Sequence, residues 1–214
     1  MDKIRFILII CLLSSAVFLT EARTIKDFFI SEPGNVLPLI SQRTRMDMID
    51  YFNAGRMADV KNNLGKSSRF NKVTDDYMSI RVSGSSTVEM LLMPISKKDT
   101  VIITITTVEL PAKDSRVAVY DTEWNPVETK RYFKPATMKN FVFIPKGDKT
   151  KKETVLAAID FPIISYTINA DSRTIVARHG LEQYMSEEDF KKIKPYLRDS
   201  IPYTRKRHTF TPRN

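Results

Sequence analysis

The sequence predicts an α+β fold: one antiparallel β-sheet of meander and hairpins, an N-terminal amphipathic helix and a short C-terminal helix. Three observations carry that reading. From Asp76 to Ala177 apolar residues keep strand spacing and are parted by short turn-forming links without helices between them, which argues against βαβ units. Ahead of them, Leu37, Ile40, Thr44, Met48, Tyr51 and Phe52 recur at spacings of three and four, marking one face of a helix. Behind them, Ser186 reads as an N-cap followed by Glu187, Glu188 and Asp189, where the helix dipole favours negative charge.

The chain begins with Lys3 and Arg5, an apolar run from Phe6 to Leu19, and small residues at Thr20 and Ala22. That is the pattern of a secretory signal peptide over residues 1–22, cut before Arg23. The apolar run is shorter than the roughly 20 residues that cross a bilayer, so no transmembrane span is expected in the mature chain. Residues 23–200 are expected to form a single domain, followed by a basic tail over 201–214.

Within the domain, Pro38 suits the first turn of the amphipathic helix and Gly55 its left-handed end. Met57 to Leu64 reads as a weaker helical turn. Tyr77 to Val82 and Val88 to Ile95 flank a Ser-Gly-Ser-Ser hairpin link. Val101, Ile103 and Ile105 alternate with Thr104 and Thr106, describing a strand buried on one face. Arg116 to Asp121 is a further strand. Asn140 to Ile144 and Thr154 to Ile159 read as strands around a lysine-rich loop, and Ile163 to Asn169 with Thr174 to Ala177 as a last hairpin. The second helix is expected to end near Pro195.

The 214 residues carry a net charge of +9, and the leader's Asp2, Lys3, Arg5 and Glu21 cancel, so export leaves it unchanged. The one cysteine, Cys11, lies in the leader. The mature chain therefore has no thiol for a disulfide, a nucleophile or a metal.

Two stretches, Thr74-Asp-Asp-Tyr-Met-Ser-Ile-Arg-Val-Ser83 running on to Met93-Pro94, and Asp114 to Asn125-Pro126, resemble an exported Bacteroidales family catalogued as domain of unknown function 3256. Met46 to Gly55 is similar to it as well. The resemblance covers nearly the whole mature chain. It implies export and a Bacteroidales-type source, and carries no assigned activity or site.

The residues themselves offer few sites. Asp75 and Asp76 are adjacent, so an extended backbone points them to opposite faces; a strand-start turn explains them. Asp121 and Glu123 share a face, and Trp124 beside them suits a sugar-stacking platform. A glycosidase needs two carboxylates about 5–9 Å apart, and the bland alternative is a polar turn whose tryptophan plugs the core. His179 and His208 are isolated and show no metal-ligand spacing. Arg205, Lys206 and Arg207 suit contact with an anionic surface, against the alternative of a solvated tail; Lys149, Lys151 and Lys152 form a second basic run.

The expectation is therefore an exported protein of the periplasm or cell surface, a non-enzymatic binding module with no cofactor. Its partner would be an envelope protein or an anionic surface or glycan, not nucleic acid. The alternative is a glycan-binding or glycan-active protein using Asp121, Glu123 and Trp124.

Overall fold

The computed structural model describes residues 23–57, 59–109 and 111–213; the expected leader, residues 1–22, lies outside them. The chain is mostly antiparallel β-sheet with a few helices. Helices α1 (Ile25–Ser31) and α2 (Gln42–Asn53) come first. Seven strands then pair in chain order: β1 (Val60–Lys61), β2 (Ser67–Val73), β3 (Tyr77–Ser83), β4 (Ser86–Pro94), β5 (Thr100–Val108), β6 (Asp114–Tyr120) and β7 (Pro126–Val127). Three short helices follow, α3 (Thr129–Tyr132), α4 (Met138–Phe141) and α5 (Lys152–Ala157). A second sheet comprises β8 (Ile164–Asn169), β9 (Thr174–His179), β10 (Ser200–Lys206) and β11 (Thr209–Pro212), in the order β11-β10-β9-β8. Between β9 and β10 lie α6 (Leu181–Tyr184), α7 (Glu187–Ile193) and a 3₁₀ turn, Lys194–Tyr196.

The large sheet is covered on both faces. Val101, Ile103 and Ile105 of β5 point into an inner core with Leu91, Phe133, Tyr166, Ile175 and Ile201, against the small sheet. Ile102 points into an outer core with Met78, Ile80, Met90, and Ile25, Phe29 and Met48 of the N-terminal helices. Thr104, on the face expected to meet water, is 2% exposed, and its hydroxyl donates to the Ala118 carbonyl at 3.3 Å. The one-sided burial expected of β5 is thus corrected: the helices and the loop joining them cover its second face.

The two sheets meet along β8. Its outward N–H groups are not paired with a strand; they donate to side chains of the large sheet. Ile164 N–H reaches Asp114 Oδ1 at 3.3 Å, Tyr166 N–H reaches Ser115 Oγ at 3.0 Å, and Ile168 N–H reaches Glu89 Oε1 at 3.1 Å. The Tyr77 hydroxyl also donates to Glu89 Oε1, at 2.6 Å. Glu89 is 6% exposed, and burial raises its pKa against the opposing pull of those two hydrogen bonds and of Lys113.

Several local expectations shift. The amphipathic helix starts at Gln42, not near Leu37, because the Ser41 hydroxyl accepts from Thr44 N–H and caps it. Leu37 and Ile40 are buried, but from the preceding loop; Tyr51 and Phe52 are partly exposed, while Arg45, Met48 and Ile49 turn inward. Gly55 does take the left-handed conformation, φ 68°. Asn62 replaces the expected helical turn by accepting from Leu64 and Lys66 N–H and ordering a tight β1–β2 link. The runs read as strands at 140–144 and 154–159 overlap the helices α4 and α5, which begin two residues earlier in each case; Thr137 and Asn140 form a capping box that starts α4. The C-terminal residues are not a tail: β10 and β11 pair from Tyr203↔Pro212 to Lys206↔Thr209. At the end of β9 a Cβ on Gly180 would lie 2.9 Å from both Ala112 Cβ and Ile163 Cγ2, so this contact admits only glycine without a shift.

Ile103 is fully buried, and truncating a buried isoleucine costs ~2–5 kcal/mol. Ile103→Ala should lower the melting temperature by roughly 4–20 °C for a domain of this size, measured by calorimetry. For Glu89 the raised pKa means that the folded state holds its proton more tightly than the unfolded chain does. Its contribution to stability is therefore present below the ordinary value of 4.5 and declines as pH rises from there through the raised folded value. Glu89→Gln, which can still accept both hydrogen bonds, should remove that decline in pH-dependent denaturation curves, whereas Glu89→Ala should destabilise at every pH.

Candidate functional site

One end of the large sheet gathers five separate segments around an open groove of about 730 Å³. They are the residues leading into α1, the β2–β3 turn, the β4–β5 hairpin, the β6–β7 turn and the β8–β9 turn. Phe28 and Leu92 form an apolar floor, 3% and 8% exposed. Thr24, Thr100 and Thr122 offer hydroxyl-bearing side chains, and the rim carries both signs of charge: Arg23, Lys98 and Arg173 against Asp75, Asp76 and Glu123.

Backbone bonds hold the groove in shape. Ile25 N–H donates to the Asp75 carbonyl and Leu92 N–H to the Asp76 carbonyl, each at 2.8 Å, tying α1 and β4 to the same turn. The Arg23 guanidinium lies 4.1 Å from the Phe28 ring centroid, a cation–π contact. It also donates to Ser31 Oγ at 3.0 Å and sits 4.0 Å from Glu123. Arg173 closes on Asp76 at 2.6 Å, and the Thr74 hydroxyl donates to the other Asp76 oxygen at 3.1 Å. Among the described residues Asp75 and Lys98 enter no ion pair.

Asp75 and Asp76, read from sequence as a turn, do form one, and the fold brings them to the same groove as Glu123. The expected Asp121–Glu123–Trp124 constellation does not converge. Asp121 Oδ1 accepts from the N–H groups of Glu123 and Asn125, both at 2.9 Å, and Oδ2 from the Asn125 amide at 3.0 Å. Slight burial opposes ionisation, but these bonds outweigh it and hold the carboxyl below its ordinary value. The Trp124 indole is 6% exposed and packs in the outer core, 5.4 Å from Tyr120, with its backbone at φ 63°. It presents no open face for a sugar ring. Only Glu123 of the three lines the groove.

His179 packs against Phe141 and Phe190; among the described residues neither of its ring nitrogens has a hydrogen-bond partner, and burial lowers its pKa. His208 is exposed in the β10–β11 turn. Lys152 donates to the Lys139 carbonyl, so the second lysine run lies beside α4, whereas Arg205 reaches the Pro94 carbonyl. Arg23, Lys98 and Arg173 went unseen in the sequence because each comes from a different segment and none carries a local motif.

Residues 17–210 match the family model described as "Protein of unknown function (DUF3256)". Among solved structures, a domain of an uncharacterised protein from Porphyromonas gingivalis W83 is similar over 90% of this chain and 99% of its own, with a TM-score of 0.78 and 23% identity. That likeness is one of fold. No curated protein matches the chain.

Asp121 organises a turn, so Asp121→Ala should cost ~1 kcal/mol, typical of lost intramolecular hydrogen bonds. A denaturant titration should show the loss at neutral pH and its shrinking as acid protonates the carboxyl.

Proposed function

Since the chain belongs to the DUF3256 family, whose description assigns no activity, we propose from geometry that it is a non-enzymatic binding module of the cell envelope. In this reading the leader over residues 1–22 exports it, and the groove between α1 and the sheet end receives its partner. The observation that carries the proposal is the pairing of an apolar floor with unpaired Asp75 and Lys98 on a rim fixed by backbone bonds. Such a groove favours an extended, polar segment bearing both charges, with Phe28 and Leu92 contacting its apolar atoms. Of the two neighbouring acids on the rim, Asp76 is engaged by Arg173, and Asp75 is the one that faces a ligand with its charge unmatched.

Binding to arrayed peptides and glycans, followed by titration of the positives in solution, tests this. Saturable binding is expected, and the Asp75→Arg/Lys98→Glu double variant should weaken it at least about tenfold with unchanged melting, because like charges then face the ligand's own. Turnover of glycoside, ester or peptide substrates that is abolished by Asp75→Asn or Glu123→Gln would replace this reading with an enzymatic one. N-terminal sequencing of the exported protein should begin within a few residues of Arg23; an intact Met1 in that fraction would remove the envelope assignment.

A further inference from the structure

Beyond the groove, the fold assembles a surface that is scattered in the sequence. Arg205, Lys206 and Arg207 sit at the closed end of the β10–β11 hairpin, not on a solvated tail; β10 pairs with β9 as well as with β11. The Arg205 Nη2 donates to the Pro94 carbonyl at 2.7 Å, placing the hairpin against the β4–β5 turn that carries Lys98. On its other side the Thr209 hydroxyl donates to the Arg131 carbonyl at 2.7 Å, and Lys134 N–H to the Phe210 carbonyl at 3.0 Å. Three segments, 95–99, 128–134 and 203–209, thus lie side by side with Lys98, Arg131, Lys134, Arg205, Lys206 and Arg207 all exposed. Asp99 and Glu128 are the acids on these segments. Among the described residues none of the six cations enters an ion pair. The Arg205 and Thr209 bonds go to carbonyl oxygens, which leaves the positive charge uncompensated.

We propose that this end of the molecule docks on a plane of lipid phosphates, the headgroup surface of an anionic bilayer. Arg131, Lys134 and Arg205 to Arg207 do not line the groove of the candidate site; Arg205 to Arg207 stand on a hairpin tip, Arg131 on the helical turn α3 and Lys134 just beyond it. Cations on such protrusions meet many phosphates across a plane rather than enclosing one anion. Anchoring on ordered strands fixes their spacing, so less side-chain and backbone freedom is lost on contact than a loose tail would lose. The groove opens beside this surface, since Pro94 and Lys98 border both. The docking does not depend on what the groove binds.

The test is co-sedimentation of the full chain with vesicles of phosphatidylglycerol in phosphatidylcholine, against phosphatidylcholine alone. Binding to the anionic vesicles only is expected, falling steeply with added salt because exposed charges are screened over ~8 Å at physiological ionic strength. Each cation removed should weaken binding about fivefold. Arg205→Ala/Lys206→Ala/Arg207→Ala should therefore lose about a hundredfold and Arg131→Ala/Lys134→Ala about twenty-five-fold. Arg205→Lys/Arg207→Lys should bind as the parent does. The second variant leaves the hairpin intact and carries the test if the first alters folding. Equal sedimentation with phosphatidylcholine, no effect of the Arg131 and Lys134 substitutions, or capture of soluble polyphosphate without vesicle binding would each overturn the proposal.

Discussion

The edge of β8 is the constraint on which the arrangement of the two sheets rests. An unpaired strand edge exposes a row of donors that either face water or recruit another strand. Here Ile164, Tyr166 and Ile168 donate to Asp114, Ser115 and Glu89, so side chains of the large sheet do the work of a neighbouring strand. These bonds fix where the small sheet sits along the large one, and the inner core fills the space between. Phe133 stacks on Tyr203 and meets Tyr166 edge-on, each at 5.0 Å, and the Tyr166 and Tyr203 hydroxyls satisfy backbone groups of Ala136 and Lys134. The cost falls on Glu89, a carboxyl held away from water with its pKa raised.

A second polar device performs the same task on the outer face. Glu32 and Arg45 are 1% and 2% exposed, 3.1 Å apart, and neither is left as a bare charge. Glu32 Oε1 accepts from Gly34 and Val36 N–H at 2.8 Å each, while Arg45 donates to the Ile40 and Glu32 carbonyls. Together they hold the loop between α1 and α2 against the sheet. Buried ion pairs seldom add much net stability, because desolvation offsets attraction. Their effect here is to choose one path for a loop that Leu37 and Ile40 alone would anchor less definitely. Both halves of the core thus take their geometry from a few buried polar groups, and their depth from apolar ones.

The strands were legible where β-branched runs alternate and where Ser, Gly and Asp mark the turns: β3, β4, β5, β8 and β9 lie close to their expected positions. Ser186 was equally legible, since an N-cap is a local interaction three residues long. The short helices of four to six residues between the two sheets were not, because a short apolar run suits a strand and a helical turn alike. That ambiguity hid α4 and α5. Helix α1 carried a readable signal in Ile25, Phe28 and Phe29 behind the Thr24–Asp27 capping box, within a stretch read as lead-in. Glu89 resembles a solvent-facing residue between Val88 and Met90; its partners Tyr77 and Ile168 lie 12 and 79 positions away. The groove is hidden for the same reason. Its charges sit in four turns and the residues leading into α1, and their meeting depends on the sheet ends being level.

Strand order in the large sheet equals chain order, and that has a kinetic side. Every pairing from β1 to β7 joins neighbours through a short connection, so each new strand finds its partner already in place and the entropy of closing the intervening loop is small. Low contact order of this kind speeds folding. The bonds from β8 back to Glu89 and Asp114, by contrast, span 79 and 50 residues. The large sheet is thus closed by pairings local in sequence, and the seam between the two sheets by bonds that reach across long stretches of the chain.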